Sequence, residues 1–358
     1  MRKFSLPDAL IATRPAVPRD AARLFVYDTA NNTVTYSTFS RLADHLPPHS
    51  LLVFNDTKVV PARAALRKET GGKVEILFLV NEWGGRGPIP ALADRKIAVG
   101  AALSFSGTRP RSHAHVDPAD QGDFTVVRQE ENLFFLRPHF PPSQLLARLE
   151  KKGVTPIPKY IKGTPLGERA LRTQYQAVFG TRPASIAAPT ASLHFTERLL
   201  KRLDARGFPK TFVTLHVGMG TFAPVNEENL RRGTLHTEYL SIPGPSRARI
   251  RKEKEAGHPV VAVGTTVIRT LESQAAALLA PGTTAIEGTT AIFIRPPYQF
   301  RIADAMITNF HLPGTSLMML VEAFLRHKGA ARDIISLYEM AVRERFRFYS
   351  FGDGMLIL

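Results

Sequence analysis

The sequence contains no cysteine and only one tryptophan among its 358 residues. Without thiols the chain cannot form disulfide bonds, thiolate metal sites or a cysteine nucleophile. Acid, base and electrostatic chemistry is therefore left to histidine, acidic and basic side chains.

Long hydrophobic runs are also missing. No stretch approaches the roughly 20 consecutive apolar residues that a helix needs to cross a bilayer. The first fifteen residues, MRKFSLPDALIATRP, lack the apolar core and the small-residue cleavage site of a secretory signal. These two absences lead us to expect a cytoplasmic protein with no membrane partner.

Acidic residues are scarce relative to basic ones, with 31 Asp and Glu against 47 Lys and Arg, for a net charge of +16. Such a surplus favours binding to a polyanion through counterion release, and nucleic acid is the commonest such partner. Three basic segments, at 198–210, 246–257 and 324–333, carry much of this charge. They could equally be solvated helix faces, so charge alone leaves both interpretations open.

The length of the chain and the order of its predicted strands and helices indicate two domains, because 358 residues exceed what one core usually supports. Short strands separated by Gly, Pro and Asp run from residue 64 to about 142, and a helix is expected only at 143–153. After Pro156 strands alternate with helices, which is typical of an α/β domain. We predict a large mixed α/β domain of residues 1–63 and 153–358, interrupted by a small antiparallel β-barrel at 64–152.

Three segments repeat one design: SIAAPTASLHFT (185–196), VTLHVGMGTFAP (213–224) and ITNFHLPGTSL (307–317). Each couples an apolar, strand-like lead to a turn of small residues, with His194, His216 or His311 at the junction. Side chains at such junctions reach from a folded core into an open cleft. We predict that the three segments are walls of one active site, although a histidine taken alone is more often a satisfied core residue.

The turn at 264–266 follows a β-branched strand and precedes a helix that Thr265 or Thr266 could cap. The N–H groups of a helix start can bind a carboxylate, a phosphate or ribose oxygens. Arg269 and Glu272 share one face of this helix and could pair. An ordinary capped helix with a structural ion pair is the alternative.

Two further turns are ambiguous. The glycines at 218 and 220 with Ala223 satisfy the spacing of a dinucleotide fingerprint, but no helix follows, so we reject that site. The polar run at 55–58 comes directly after an apolar strand and either closes a turn or supplies an acid, a base or an anion clamp.

The pair His113 and His115 has metal-like spacing without a partner motif, and we predict that no metal binds there.

Ten stretches, in order along the chain, resemble the S-adenosylmethionine:tRNA ribosyltransferase-isomerase family of queuosine biosynthesis. They include LLVFNDTKVVPAR, TGGKVEILFL, SIAAPTASLHFT, VTLHVGMGTFAPV, LHTEY, VVAVGTTVIRTLES, ITNFHLPGTSLMMLV and RFRFYSFGDGMLIL. The resemblance covers essentially the whole length, and it implies an α/β domain interrupted by a small β-barrel.

The resemblance also implies the activity. The ribosyl part of S-adenosylmethionine is moved onto the aminomethyl group of a 7-deazaguanine at the tRNA wobble position and rearranged to an epoxycyclopentane, releasing adenine and methionine. Ser192 stands where the family usually has glycine, and AIFIRPPY (291–298) departs from the usual run. A diverged relative with another acceptor, a non-catalytic RNA-binding protein and a methyltransferase are the alternatives.

The reaction needs a base for a proton next to the sulfonium and an acid for the departing adenine, and histidine suits both near neutral pH. By resemblance, His194, His216 and His311 are acid or base candidates, with Asp56 and Glu272 as acceptors for ribose hydroxyls. The candidate substrate-binding residues are Asn55, Thr57, Lys58, Arg63, Thr190, Ser192, Gly218, Gly220, Thr221, Gly264, Thr265, Thr266, Arg269, Asn309 and Thr315. We expect tRNA and S-adenosylmethionine as partners, no resident cofactor or metal, and a monomer.

Overall fold

The structure is a computed structural model that describes residues 4–105, 122–218, 225 and 227–358. The chain divides into two compact units. The larger unit comprises Met1–Lys58, Pro158–Arg182 and Ala188–Leu358, and the smaller unit comprises Val59–Ile157 and Pro183–Ala187. The domain boundaries expected at 63/64 and 152/153 stay predictions.

The strands, in chain order, are β1 (Arg23–Asp28), β2 (Thr33–Thr38), β3 (Leu51–Asn55), β4 (Thr57–Val59), β5 (Arg63–Lys68), β6 (Lys73–Phe78), β7 (Ile89–Ala93), β8 (Ala102–Phe105), β9 (Phe124–Glu130), β10 (Leu133–Pro138), β11 (Arg182–Ser185), β12 (Lys210–Leu215), β13 (Thr234–Ile242), β14 (Val260–Val263), β15 (Ile286–Ile292), β16 (Ala305–Asn309) and β17 (Gly354–Ile357). The α-helices are α1 (Leu145–Lys152), α2 (Glu168–Gln174), α3 (Glu197–Ala205), α4 (Glu227–Arg232), α5 (Gly244–Glu255), α6 (Thr265–Ser273), α7 (Ala275–Leu279), α8 (Ser316–His327) and α9 (Ile334–Arg343). Short 3-10 turns lie at Asp8–Leu10, Arg19–Ala21, Phe39–Asp44, Pro142–Gln144 and Thr190–His194.

The larger unit is built on a nine-stranded mixed sheet with the order β15-β13-β12-β3-β14-β16-β17-β1-β2. Its central strands β12, β3, β14 and β16 are mutually parallel. Every residue of β3, β14 and β16 is buried, because parallel strands at the centre of a sheet are covered on both faces.

Each face of this sheet has its own hydrophobic core. Alternate residues of β3 show the division, since Leu51 and Val53 belong to one cluster, and Leu52 and Phe54 belong to the other. Successive side chains of a strand point to opposite faces, so one continuous apolar run serves both cores. Residues of α6 and α8 fill the first cluster, and residues of α3 fill the second.

The smaller unit is a closed antiparallel barrel with the order β10-β7-β6-β5-β8-β9. Its strands alternate between exposed and buried residues, as β6 does, because one face of each strand fills the interior. The aromatic rings of Phe78, Phe105 and Phe124 contact one another there. The predicted fold class, a mixed α/β domain interrupted by a small antiparallel barrel, is confirmed, and the helix expected at 143–153 is α1.

Within the described ranges, no helix combines the length and the apolar character that a membrane span requires. Across the same ranges, His, Asp and Glu side chains nowhere gather in threes around a point that could hold a metal ion. The pair His113 and His115, considered above as a metal motif, lies outside the described residues.

Candidate active site

A cavity of the larger unit lies at the carboxyl edge of the parallel strands. Its volume, counted out to the open mouth, is about 580 Å³. It is lined by Tyr160, Ala188, Pro189, Thr190, Ala191, Val217, Gly264, Thr265, Thr266, Thr308, Asn309, Phe310, His311, Leu312, Thr315, Leu317, Tyr349 and Ser350. The three histidine-bearing segments therefore meet in one cavity, together with the turn at 264–266. The segments after β12, β14 and β16 meet because the carboxyl ends of parallel strands share one edge of the sheet, whereas the first segment follows β11 of a separate two-stranded sheet.

The turn at Gly264 shapes one wall of the cavity. Gly264 has φ 99° and ψ 152°, a backbone conformation that is essentially restricted to glycine. Its N–H donates a hydrogen bond to the carbonyl of Ile307 at 2.8 Å, which joins the end of β14 to β16. No described side chain caps α6, so the amide groups of its first turn form an electropositive helix start at the cavity.

Of the three histidines predicted to form the site, only His311 is among the described residues that line this cavity. Its Nε2 lies 2.7 Å from the hydroxyl of Thr308, and its backbone N–H donates to the hydroxyl of Tyr338 at 2.8 Å. Burial lowers the pKa of His311 to about 3, because a charged imidazole would lose its hydration. His311 is therefore neutral near pH 7, and Nδ1 is the ring nitrogen that Thr308 does not contact.

His194 lies behind the wall of the cavity and does not line it. Its ring stacks on Phe39, with 4.1 Å between ring centroids and an interplanar angle of 17°. Burial lowers the pKa of His194 to about 4, against the opposing pull of the Asp353 charge. The Nε2 of His194 and the hydroxyl of Ser192, on the same 3-10 turn, are buried without a hydrogen-bond partner among the described residues.

His216 also lies outside the cavity lining, although Val217 after it is part of the wall. Its Nδ1 is 2.8 Å from the hydroxyl of Thr57. Its ring stacks on Tyr239, with centroids 5.5 Å apart and an interplanar angle of 19°. Burial lowers the pKa of this half-buried histidine to about 4. The structure thus brings the three segments together, but it does not bring the three imidazole rings together.

Asn55 holds the strand ends beneath the cavity. Its fully buried side-chain oxygen accepts hydrogen bonds from the backbone N–H groups of Thr57 and Leu215, both at 3.1 Å. Its amide nitrogen donates to the carbonyl of Leu215 at 3.0 Å and to the hydroxyl of Thr266 at 3.2 Å. The prediction that Asn55 binds substrate stays a prediction; in the structure its amide is hydrogen-bonded to Thr57, Leu215 and Thr266.

The pairing considered above for Arg269 and Glu272 does not occur. Arg269 instead forms a buried ion pair with Glu238, whose Oε1 accepts a hydrogen bond from the N–H of Gly218 at 2.9 Å. Glu272 accepts the backbone N–H groups of residues 301–303 at 2.9, 3.0 and 3.0 Å. Neither side chain lines the cavity, and both have structural partners.

Asp56 lies outside the cavity lining as well. Its Oδ1 accepts a hydrogen bond from the hydroxyl of Thr214 at 2.6 Å, and its Oδ2 is 4.0 Å from the Nε of Arg182. Burial raises the pKa of the Asp56 carboxyl above its ordinary value.

Of the other candidates, Thr190, Gly264, Thr265, Thr266, Asn309 and Thr315 line the cavity. Lys58 is exposed on β4. Arg63 belongs to the smaller unit, where it pairs with Glu75 at 3.5 Å. Gly220 and Thr221 lie outside the described residues.

An aromatic wall completes the cavity, and the sequence reasoning did not assign it. The hydroxyls of Tyr160 and Ser350 lie 2.5 Å apart, and the rings of Tyr160 and Tyr349 meet edge to face at 5.0 Å. Burial raises the pKa of Tyr160, which keeps its phenol neutral. RFRFYSF is rich in aromatic residues and PIPKYI contains Tyr160 alone, but nothing in either stretch shows which rings face a ligand. Glu238 was also missed, since it looks like an ordinary strand residue of LHTEY.

Fold and site together define a class of protein: an α/β protein, interrupted by a barrel, with a small-molecule cavity at the carboxyl ends of its parallel strands. Among the described residues that line the cavity, none carries a permanent charge. A family model described as queuosine biosynthesis protein matches residues 2–357, and the chain belongs to this family.

Relatives that carry a protein name are similar to this chain over its full length. A protein of Rubrobacter xylanophilus named S-adenosylmethionine:tRNA ribosyltransferase-isomerase is 42% identical over 358 residues, which cover 99% of this chain and 96% of the relative. One of Aquifex aeolicus with the same name is 40% identical over 361 residues, covering 99% and 98%. The crystal structure of a S-adenosylmethionine tRNA ribosyltransferase from Thermotoga maritima is similar, with a TM-score of 0.53, 30% identity and 99% coverage of both chains.

Proposed function

We propose that this chain transfers the ribosyl group of S-adenosylmethionine to the 7-aminomethyl-7-deazaguanine at the wobble position of tRNA and isomerises it. The product is epoxyqueuosine, and adenine and methionine are released. The chain is thus a transferase and an isomerase of queuosine biosynthesis. The observation that carries the proposal is the meeting of six separate segments of this family member in one uncharged cavity.

S-adenosylmethionine binds in that cavity. The uncapped start of α6 offers the N–H groups of Thr265 and Thr266 to the methionine carboxylate, since free N–H groups at a helix start favour an anion. The rings of Tyr160 and Tyr349 suit the sulfonium, because a cation is attracted to the face of an aromatic ring. Hydroxyls of the lining threonines serve the ribose.

His311 is the base that starts the reaction. It borders the cavity, and its neutral ring has a lone pair for a proton from the ribose carbon next to the sulfonium, although the burial that lowers its pKa makes it a weaker base than a free histidine. Thr308 holds the ring by its hydrogen bond to Nε2. His194 and His216 lie outside the lining, and we give them no contact with S-adenosylmethionine.

The charge of +16 supports tRNA as the macromolecular partner, because neutralising phosphates releases counterions. S-adenosylmethionine acts as co-substrate, and we propose a cytoplasmic monomer without a resident cofactor. We also propose that residues 64–152 form an inserted domain of their own.

One incubation tests the function. The protein is mixed with S-adenosylmethionine and tRNA that carries the deazaguanine precursor, and the small molecules and nucleosides are identified by mass. Adenine, methionine and epoxyqueuosine are expected. S-adenosylhomocysteine would instead indicate a methyltransferase, and tRNA binding without any small-molecule product would indicate an RNA-binding protein.

The role of His311 is tested in the same assay. We expect His311→Ala to lower kcat by about 100-fold or more, the usual contribution of a general base. His327→Gln, a change of a half-buried histidine on α8 that does not line the cavity, is the matched control and should leave kcat unchanged. Equal activity of His311→Ala and the wild type would rule out His311 as the base.

A further inference from the structure

A second polar cluster of the larger unit lies outside the cavity lining. Asp56, Arg182, His216 and Tyr239 form it. The backbone N–H groups of Thr181 and Arg182 donate to the carbonyl of Asp56 at 2.9 and 3.2 Å, which fixes Arg182 beside the carboxylate. The backbone N–H of His216 donates to the carbonyl of Tyr239 at 3.0 Å, which fixes the two rings beside each other.

Two contacts bring the halves of the cluster together. The Arg182 guanidinium lies 4.0 Å from Asp56 Oδ2, and the hydroxyl of Thr57, the residue after Asp56, lies 2.8 Å from Nδ1 of His216. The Arg182 side chain is 56% exposed, whereas that of Asp56 is 13% exposed. The cluster is therefore open to solvent on the side of Arg182 and closed behind Asp56.

The charges of the cluster near pH 7 follow from its surroundings. His216, with a pKa lowered to about 4 by burial, is neutral, and burial and the nearby Glu287 raise the pKa of the Tyr239 phenol. Asp56 is the carboxyl group of the cluster, and Thr214 occupies only its Oδ1. Among the described residues, Oδ2 has no closer partner than Arg182 at 4.0 Å.

The cluster and the cavity share one strand end. His216 belongs to the cluster, and Val217, the next residue, lines the cavity. Asn55 bonds to both polar atoms of the Leu215 backbone and to the hydroxyl of Thr266 in the cavity wall. A group held by the cluster would thus be adjacent to a ligand in the cavity.

We propose that Asp56, Arg182, His216 and Tyr239 form the subsite for the acceptor, a flat heteroaromatic base that carries a primary ammonium group. This inference rests on the proposed function, because that function supplies the chemistry of the acceptor. The stacked rings of Tyr239 and His216 offer an aromatic platform for the base, since stacking suits any flat π-face. Asp56 Oδ2 receives the ammonium, and the exposed Arg182 contacts a backbone phosphate.

The open side of the cluster fits the way in which such a base arrives. A base within a nucleic acid must leave its stack before an enzyme can act on it, and it then enters a pocket from the solvent side. S-adenosylmethionine needs no such path, so the more enclosed cavity suits it. The two substrates then meet across the end of β12.

The test separates the Michaelis constants of the two substrates. Asp56→Asn and Tyr239→Leu are compared with the wild type, using S-adenosylmethionine and an anticodon stem-loop that carries the aminomethyl-deazaguanine. We expect each variant to raise KM for the stem-loop about tenfold, the value of one stacking or charged contact. KM for S-adenosylmethionine should change less than about twofold, since neither side chain lines the cavity.

Conservative and matched variants keep the test decisive. Tyr239→Phe retains the ring and should restore KM for the stem-loop. Tyr36→Leu removes a tyrosine from β2, at the opposite end of the same sheet, and should leave both constants unchanged. Thermal unfolding identifies any variant that misfolds. Arg182→Gln, which changes an exposed side chain, then takes the place of that variant in the test. It should also raise KM for the stem-loop.

Binding without turnover separates this inference from the proposed function. Calorimetry with free 7-aminomethyl-7-deazaguanine should show binding that Asp56→Asn weakens, and guanine, which lacks the ammonium, should bind equally weakly to both proteins. A rise of KM for S-adenosylmethionine alone would overturn the subsite. Absence of adenine release by the wild type would overturn the function, whatever the variants bind.

Discussion

Arg269 and Glu238 form an ion pair in the interior of the larger unit, with side chains only 4% and 2% exposed. Arg269 projects from α6, whose first turn lines the cavity, and Glu238 lies on β13. The second carboxylate oxygen of Glu238 binds the N–H of Gly218, next to Val217 in the cavity wall. The pair therefore ties two parts of the cavity wall to each other from behind.

Breaking this pair on one side should be costly. Glu238→Gln leaves the Arg269 guanidinium buried without a counter-charge, and we expect the free energy of unfolding to fall by about 3 kcal/mol or more. Urea unfolding followed by circular dichroism measures the loss. The double variant Glu238→Gln with Arg269→Met removes both charges and should recover most of the stability, because an apolar isostere of a buried pair is often neutral.

The same double variant should remain impaired as an enzyme. We expect its KM for S-adenosylmethionine to rise several-fold, because the segment after β12 loses its charged anchor. A double variant as unstable as the single one would contradict the buried-pair account, and one with unchanged KM would show that the pair only stabilises the fold.

Gly264→Ala should strain the turn that opens α6. At φ 99° a side chain costs about 1–3 kcal/mol, even though a Cβ would meet its nearest neighbours at an ordinary 3.7 Å. Weaker binding of S-adenosylmethionine is expected as well, measured by calorimetry. Gly257→Ala, also at positive φ (72°) but away from the cavity, should lower stability without changing binding.

His194 should make the stability of the protein depend on pH. Its pKa falls from an ordinary value near 6.5 in the unfolded chain to about 4 in the folded one, so between these values the unfolded chain binds the extra proton. The contribution, up to about 3 kcal/mol, is complete above pH 6.5 and is lost as pH falls towards 4. Urea titrations at pH 4.5, 5.5 and 6.5 measure this slope.

His194→Phe removes the titrating group and keeps the stack on Phe39, so the slope should become shallower. Some slope should persist, since His216 and His311 also have lowered pKa values and act in the same direction. Between pH 7 and 9, where these groups do not titrate, the two proteins should show parallel curves. An unchanged slope below pH 6.5 would contradict a buried neutral His194.

Glu272→Gln distinguishes a structural role from a catalytic one. The carboxylate accepts N–H groups of residues 301–303, and hydrogen bonds to a charged acceptor contribute about 1.5–3 kcal/mol each. We expect the melting temperature to fall, while kcat per folded molecule stays close to the wild-type value. A kcat that falls by 100-fold at full stability would support the catalytic role inferred from resemblance.

Much of the architecture could be predicted because the pattern is local. The apolar run of β3, the Asp and Gly breaks of the barrel strands and the glycine turn after β14 each follow from neighbouring residues. Convergence of two of the three histidine-bearing segments was also predictable, since those with His216 and His311 follow β12 and β16 of one sheet. The segment with His194 follows β11 of a separate two-stranded sheet, so its place at the cavity was not. The partners of Arg269 and Glu272 were not, because Glu238 and residues 301–303 are distant in sequence.

The sequence by itself determined the family and the layered α/β class, and it predicted that the three histidine-bearing segments converge. Only the tertiary structure decided which of His194, His216 and His311 reaches the cavity. All three stand at similar junctions, and the side to which a ring turns depends on what fills the space beside it. The ring of His194 stacks on Phe39, and the ring of His216 stacks on Tyr239. Of the three histidines, only His311 lines the cavity in the described part of the chain.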